Sequence, residues 1–360
     1  MQIGIIGLPQ SGKTTIFQAL TGLRIDHPTY AAGGLHVQTA IVNVPDPRVD
    51  ALSAMFRPRK TIYAQVQYND INGLERGLGE AGGLSGPLLN HIAQNDALAL
   101  VVRAFPSAAV PHPEGDVDPA RDLALIQDEM MLSDMAVLDK RLQRLRERAG
   151  KGGNPAEREA NAREMAVLER LWAALEAGRP LRDEPLSADE ERMLRGYGFL
   201  TQKPLLIIIN LGDDQAEELP PAPASPRVAM LPLRGRLEME LAQMDPADVG
   251  EFLAEFGITE QGRQRVVRAS YDLLGLISFF TVGEDEVRAW TIRRGETALD
   301  AAATIHTDLA RGFIRAEVIS YPQMIAAGSL AEARRHGWLR LEGKEYEVAD
   351  GDIIHIRFNV

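Results

Sequence analysis

Near its start the chain carries Gly7-Leu-Pro-Gln-Ser-Gly12-Lys13-Thr14, which meets the pattern G-x-x-x-x-G-K-[ST] at every fixed position. The flanks agree with it. Gln2–Ile6 is an apolar run too short for a helix and reads as a buried strand, and Thr15-Ile-Phe-Gln-Ala-Leu20 reads as a helix. Strand, Gly-rich turn and helix in this order predict an α/β fold with a phosphate cradle at the strand end. Pro9, Gln10, Ser11 and Gly12 would curve around phosphate oxygens, with Lys13, Thr14 and Thr15 at the helix start. Lys13 would reach the β/γ-phosphates, and the Thr14 hydroxyl would ligate Mg²⁺.

The 360 residues predict two or three domains at about 150 residues each. With 45% apolar and 25% charged residues, wholesale disorder is excluded. A net charge of −12 repels phosphate, so any nucleic-acid contact needs a local basic patch. The chain has no cysteine, which removes disulfides, thiolate zinc sites and cysteine nucleophiles and fits a reducing compartment. No apolar run reaches the roughly 18 residues that span a bilayer, and the N-terminus lacks the basic region of a signal peptide. A soluble, cytoplasmic protein without a membrane or DNA partner is expected.

Further along, Asp70-Ile-Asn-Gly73 has the form D-x-x-G after the alternating stretch Ala64-Gln-Val-Gln-Tyr68. Asp70 would hold the metal through water, and the Gly73 amide would sense a γ-phosphate. Leu98–Val102 and Pro204–Asn210 read as two more buried strands. The second closes on Asn210-Leu211-Gly212-Asp213, close to the guanine-reading form N-K-x-D but with Leu211 at the Lys position. An ordinary polar turn is the alternative reading of those four residues.

Between these strands the pattern is helical. Met131, Met135, Leu138, Leu142 and Leu145 repeat at spacings of 4 and 3, as do Met165, Leu168, Trp172 and Leu175. Gly150-Lys-Gly-Gly-Asn-Pro155 separates the two seams, so an antiparallel hairpin is predicted. Residues 140–151 sum to +5, through Lys140, Arg141, Arg144, Arg146, Arg148, Lys151 and one Glu. This stripe would suit RNA phosphates; a solvated face paired with acidic neighbours is the alternative. Leu219–Pro226 is Pro-rich and reads as an extended loop. Thr297-Ala-Leu-Asp300 reads as a helix N-cap, its helix ending near Gly312. His91, at a helix start, and His306 and Trp290 are expected to be structural.

These motifs, in this order, resemble the YchF group of Obg-like ATPases along nearly the whole chain. The likeness is strongest in Ser278-Phe-Phe-Thr-Val-Gly283, Glu286–Ile292, Gly312–Val318, Glu342–Tyr346 and Asp350–Ile353, which resemble that family's TGS domain. Val44-Pro-Asp-Pro-Arg48, Asn90-His-Ile92 and Asp96-Ala97 are further landmarks. The resemblance implies a P-loop G domain (1–120 and 200–276), an inserted antiparallel α-helical coiled-coil hairpin (121–199) and a β-grasp, ubiquitin-like TGS domain (277–360). It also implies ATP used in preference to GTP, and ribosome association. Asp213 stands where the family has Glu, and Arg234-Gly235 where it usually has Ser-Ala. Asp213 partly restores the guanine-type pattern, but no Lys is present to cover the base, so ATP leads with GTP as competitor. The family's switch I Thr aligns with Gly34, and Thr39 substitutes only if the loop shifts register. Leu74 follows Gly73 where many GTPases place a water-orienting Gln, so slow intrinsic turnover is expected. The Gly-rich stretch Gly77–Gly86 departs from the family's switch II. The expected function is a slow P-loop nucleoside triphosphatase acting as a ribosome-associated switch. The alternatives are the same architecture run on GTP, or a nucleotide-binding module with little or no hydrolysis.

Overall fold

The computed structural model describes residues 1–25, 36–72, 86–150, 154–217, 219–255 and 260–359. Gly34, Gly73, Leu74, Lys151 and most of the Gly77–Gly86 stretch lie outside them. Among the described residues no helix is long and apolar enough to cross a membrane. The chain forms two compact units, Met1–Ala40 with Gln67–Arg263, and Ile41–Val66 with Gln264–Val360.

In the first unit the apolar runs become the middle of a six-stranded sheet. Its order is β2 (His36–Asn43), β4 (Gln65–Asn72), β1 (Gln2–Ile6), β5 (Ala97–Arg103), β6 (Leu205–Asn210) and β7 (Val228–Leu233). β1, β5 and β6 are buried on both faces, and the β4–β1–β5–β6–β7 pairings are all parallel. Parallel strands need both faces covered, which is why these runs are continuously apolar rather than alternating. The register aligns the strand ends: Ile5 lies opposite Asp70, Arg103 opposite Asn210, and Asn210 opposite Leu233. In an open parallel sheet those carboxyl ends form the natural ligand crevice. Helices α1 (Lys13–Thr21), α3 (Gly86–Ala93), α7 (Gly235–Gln243) and α8 (Pro246–Glu255) belong to this unit. His91 sits in the last turn of α3 with its side chain exposed, not at a helix start.

The predicted hairpin is α4 (Pro119–Gly150) and α5 (Pro155–Glu176). Leu138, Leu142, Leu145, Leu168 and Leu175 are buried in its core, joined by Val167 and Leu171. Met131, Met135, Met165 and Trp172 pack against its edge. Asn154 and Glu157 form a reciprocal capping box that starts α5, with Pro155 in the first turn. The basic stripe is partly neutralised. Arg141 makes two 2.7 Å bonds to Glu164, and Arg146 lies 3.1 Å from Glu169. Lys140, Arg144 and Arg148 are exposed.

At the hairpin's return, after α6 (Ala188–Leu194), a buried carboxylate holds the turn that leads into β6. Asp134 of α4 accepts from Leu200 N at 2.8 Å, Thr201 N at 2.7 Å and Thr201 Oγ1 at 2.6 Å. On the other side of this turn, Lys203 Nζ donates to Ala93 O at 2.8 Å and Asn95 O at 2.6 Å, so the end of α3 is clamped as well.

The second unit is a β-grasp. Its sheet runs β11 (Arg340–Glu342), β10 (Phe313–Ser320), β12 (Asp352–Phe358), β8 (Leu276–Val282), β9 (Glu286–Arg293) and β3 (Lys60–Ile62). β8 and β9 are an antiparallel pair, and β12 lies parallel to β8. Helix α10 (Ala298–Ile305) buries Ala298, Ala301 and Ala302 against Ile277, Phe279, Ile292 and Ile354. Thr297 and Asp300 cap it reciprocally, as predicted. The helix stops at Ile305 rather than near Gly312. His306 is extended at φ −166°, and its Nδ1 accepts from Asp308 N at 3.2 Å, starting a separate helix α11 (Thr307–Arg311). Two short helices, α12 (Tyr321–Ala327) and α13 (Leu330–Arg335), follow β10, and α9 (Gly262–Leu273) leads into β8.

The edge strand β3 comes from far up the chain. It pairs in parallel with β9 from Lys60↔Glu286 to Ile62↔Arg288. The preceding helix α2 (Pro47–Phe56) is capped by Asp46. Arg48 at its start bonds Asp46 at 2.8 Å and Asp350 at 2.7 Å, with its guanidinium 5.1 Å from the Phe280 ring centroid.

Asp134→Ala leaves two backbone N–H groups and a hydroxyl unpaired, a loss of about 2–4 kcal/mol. Burial pushes the Asp134 carboxyl up to about 6 from an ordinary 3.8, against the lowering effect of its Thr201 and Leu200 bonds. The native state therefore holds its proton more tightly, and the wild type loses this stability as pH rises from about 4 to 6. The cost of Asp134→Ala in urea unfolding should be larger at pH 4.5 than at pH 7.5, by on the order of 2 kcal/mol.

Candidate nucleotide site

The Gly-rich turn leaves β1 and folds tightly against its neighbours. A Cβ on Gly7 would lie 2.4 Å from Val101 O of β5. Gly12 has φ 91°, and its Cβ would lie 2.3 Å from Asn210 Nδ2. Both positions exclude a side chain, because backbone and Asn210 occupy the space. Gln10 also takes positive φ, at 62°, a conformation that costs a non-glycine residue about 1–3 kcal/mol and clusters at ligand sites. Within the turn the Ser11 hydroxyl is buried and has no hydrogen-bond partner among the described residues. Helix α1 then starts with no acidic residue of its own in its first turn, and its N-terminal amides and dipole favour an anion.

Three of the predicted residues meet here. Lys13 is buried, with Nζ 3.1 Å from Gly7 O and 2.9 Å from Leu8 O, folded back over the turn. The Thr14 hydroxyl donates to Asp70 Oδ2 at 2.9 Å, and Asp70 is 0% exposed. A hydroxyl and a carboxylate side by side are hard oxygen donors, the set that suits Mg²⁺. Thr15 lies half-buried one residue further into α1. Thr39 does not join them. It lies in β2, and its hydroxyl donates to Asn69 Oδ1 at 2.9 Å. Asn69 in turn donates to Asn95 Oδ1 at 2.7 Å, an amide chain that ties β2 and β4 to the segment after α3.

The Asn210–Asp213 turn divides its roles. Asn210 is buried, and its amide bridges two loops: Nδ2 donates to Ser11 O at 3.0 Å, and Oδ1 accepts from Gly235 N at 3.1 Å. Gly235 is needed for this approach, since a Cβ there would lie 2.6 Å from Asn210 Oδ1 and from Ile16 Cδ1. Leu211 is withdrawn into the apolar core of the sheet. Asp213 is exposed. Gln215 closes the turn, accepting from Gly212 N at 2.6 Å and donating to Ala104 O at 3.0 Å. Arg234 braces the same turn, donating to Gln215 O at 3.0 Å and lying 3.3 Å from Glu217.

The segment after β5 also borders the site, and the sequence reading missed it. Phe105 is half-buried between Gly12 and Gly212, and the buried Arg103 lies over its ring. Burial lowers the Arg103 pKa from the ordinary arginine value, partly offset by the charge of Asp122. Further along, His112 Nε2 pairs with Asp122 at 2.8 Å, and both side chains are buried. One signal was available: a cation directly ending a fully apolar strand is out of place unless something fixes it.

The C-terminal family model described as "Protein of unknown function (DUF933)", a YchF GTPase domain, matches residues 276–359. Over its whole length the chain is similar to proteins called ribosome-binding ATPase YchF. It is 40% identical to that of Pasteurella multocida over 363 residues, covering 99% of both chains. With the Bacillus subtilis protein the identity is 36% over 366 residues, again 99% of each. The Schizosaccharomyces pombe protein called Obg-like ATPase 1 is 33% identical over 99% of this chain and 93% of its own. The solved structure of the S. pombe YchF GTPase matches with a TM-score of 0.85 and 32% identity, covering 99% of this chain and 97% of that one.

Asn210→Ala removes both bridging bonds and leaves the Gly235 N–H and Ser11 carbonyl unpaired. It should cost about 2–4 kcal/mol in urea unfolding. It should also weaken nucleotide binding at least about tenfold by calorimetry, because a loosened turn must be reordered on binding.

Proposed function

The chain belongs to the YchF family of Obg-like ATPases, and we propose that it binds and slowly hydrolyses ATP to switch its association with the ribosome. One observation carries the enzymatic part: the Thr14 hydroxyl meets the buried Asp70 carboxylate at 2.9 Å beside Lys13, at the mouth of an intact phosphate turn. The ribosomal part comes from relatives of nearly equal length that are called ribosome-binding ATPases. A cytoplasmic location follows from such a partner.

In this reading the amides of residues 10–15 and Lys13 hold the triphosphate, with Pro9 shaping the turn, and charge-assisted bonds to phosphate oxygens supply most of the affinity. Thr14 and Asp70 would hold Mg²⁺, which supplies charge neutralisation on the phosphate oxygens. The Gly73 amide is proposed to sense the γ-phosphate. Leu74 cannot orient water by hydrogen bonding, so intrinsic turnover is slow and the ribosome accelerates it. ATP is the preferred base reading. Leu211 is packed in the core, and the exposed Asp213 has no lysine beside it to cover a guanine.

We assign the work to three segments: the G domain of 1–120 and 200–276, the hairpin of 121–199 and the TGS domain of 277–360. The hairpin offers the surface for ribosomal RNA. Arg141 and Arg146 are engaged by Glu164 and Glu169, so the phosphate contacts fall to Lys140, Arg144 and Arg148.

Dissociation constants for ATP and GTP, measured side by side with Mg²⁺, should favour ATP; tighter GTP binding would make Asp213 a guanine reader. Lys13→Ala should lose at least about 100-fold in nucleotide affinity, on the scale of a truncated buried charge contact. Single-turnover phosphate release should rise on adding ribosomes, and its absence in both conditions would leave a binding module. Replacing Lys140, Arg144 and Arg148 with Gln should weaken ribosome binding and reduce its salt slope by about three phosphate contacts. An unchanged slope would remove the hairpin from the interface.

A further inference from the structure

The two faces of the second sheet are covered unequally. Helix α10 packs on one face, against Ala316, Val318, Ile354 and Ile356. On the other face Ile319, Ile353 and Phe280 are buried as well, but the burial stops there. Two residues along, Glu317 is flanked in register by Leu341 of β11 and His355 of β12, and beyond it Arg315 stands opposite Arg357. Side chains alternate along a strand, so these five share the face turned away from α10. Glu317 is buried, whereas Leu341 is 59% exposed and His355, Arg315 and Arg357 are exposed too.

Neither stability nor solubility explains this composition. Like charges directly opposite each other in an antiparallel pair destabilise it. Glu317 relieves only part of the repulsion. Its carboxylate accepts from Arg357 and lies 3.6 Å from Arg334 of α13, while no described residue forms an ion pair with Arg315. Three guanidinium groups around one carboxylate leave a local charge of +2, in a segment, 277–360, whose charges sum to −3. Strand β11 is an edge of three residues with charged ends, and the leucine between them is turned to water. A β-bulge adds a second aliphatic group. Phe313 pairs with Phe358 and Arg315 with Arg357, which leaves Ile314 unpaired and 54% exposed beside Arg315. Bulges gather where a strand must re-aim a side chain.

We propose that this end of the open sheet face is a docking surface for an acidic protein segment that also carries aliphatic side chains. Arg315 and Arg357 receive its carboxylates, for which the guanidinium fork is shaped, and Leu341 receives an aliphatic side chain. Neighbouring strands lie about 4.8 Å apart and same-face residues about 7 Å along a strand, so the arginine pair and Leu341 fall within roughly 12 Å. That is the reach of about two helical turns or four extended residues, so one short segment touches all three. The aliphatic groups decide between partners. RNA phosphates would also suit the arginines, but Leu341 and Ile314 have no counterpart in RNA and a direct one in an amphipathic acidic segment. The surface lies within the second unit and is independent of the nucleotide reading and of the hairpin cations.

The probe is a short labelled peptide of repeated Glu-Glu-Leu, titrated with the full chain at low salt by fluorescence anisotropy. Poly-Glu of the same length and an oligouridylate are run beside it. Wild type should bind the Glu-Glu-Leu peptide more tightly than either of the others. Arg315→Gln combined with Arg357→Gln should weaken it about fivefold or more, the scale of two exposed charge-assisted contacts. Leu341→Ser should weaken it about fivefold and leave poly-Glu within about twofold, because only an aliphatic contact is lost. Arg315→Gln alone should raise the melting temperature by about 1–2 °C, since it relieves the cross-strand repulsion. An arginine placed for stability would lower it instead. Replacing Lys140, Arg144 and Arg148 with Gln should leave the peptide bound as in wild type. Absence of Glu-Glu-Leu binding, binding unmoved by the Arg315 and Arg357 substitutions, loss in the hairpin variant, or tighter oligouridylate binding that is lost with the two arginines would each overturn the proposal.

Discussion

One buried amide holds the candidate nucleotide site in register. Asn210 ends strand β6, and its two polar atoms are spent on two different loops, the Ser11 carbonyl of the phosphate turn and the Gly235 amide at the start of α7. Neither loop has a ladder partner of its own at that point. Parallel strands fix their own spacing but not the loops beyond their ends, so something must tie those loops together. An amide does this well, because it presents a donor and an acceptor in one rigid plane. The glycines at 12 and 235 are the complement of that choice: both lie where any Cβ would strike Asn210.

The same economy appears at the root of the hairpin. A helical insertion of this length could swing on its connections. Asp134 prevents this by closing the turn at Leu200–Thr201 from within α4, and Lys203 joins that turn to the end of α3. A buried carboxylate and a half-buried ammonium, both bonded to backbone groups, make a rigid root for a long lever. The lever itself is held by leucines at heptad spacing. Its surface charges are partly consumed by Arg141–Glu164 and Arg146–Glu169, which divides a uniform basic stripe into a structural half and an available half.

The C-terminal β-grasp shows how far sequence neighbourhood can mislead. Residues 60–62 follow the phosphate site closely in the chain, yet they form an edge strand of the second sheet. Arg48 fixes that excursion through Asp46, Asp350 and the Phe280 ring. No periodicity marks a three-residue edge strand, because it is too short to have a pattern.

The phosphate turn, the buried strands, the hairpin seams and the Thr297 cap were all legible in the sequence, since each is a local pattern whose physics acts within a few residues. Thr14 and Asp70 were legible as a pair because their motifs fix what each side chain must do. Where α10 stops was not, since the break depends on the extended backbone of His306. Nor were the direction of Leu211, the pairing of Thr39 with Asn69, or the place of Arg103 and Phe105 beside the phosphate turn. Those depend on which distant segment packs next to which, and on strand register that puts Arg103 opposite Asn210. Sequence determined which chemistry the chain carries and on what local elements; the tertiary structure decided which side chains face the crevice. The physical reason is that burial and hydrogen bonding between remote segments, not local propensity, choose the direction a side chain takes.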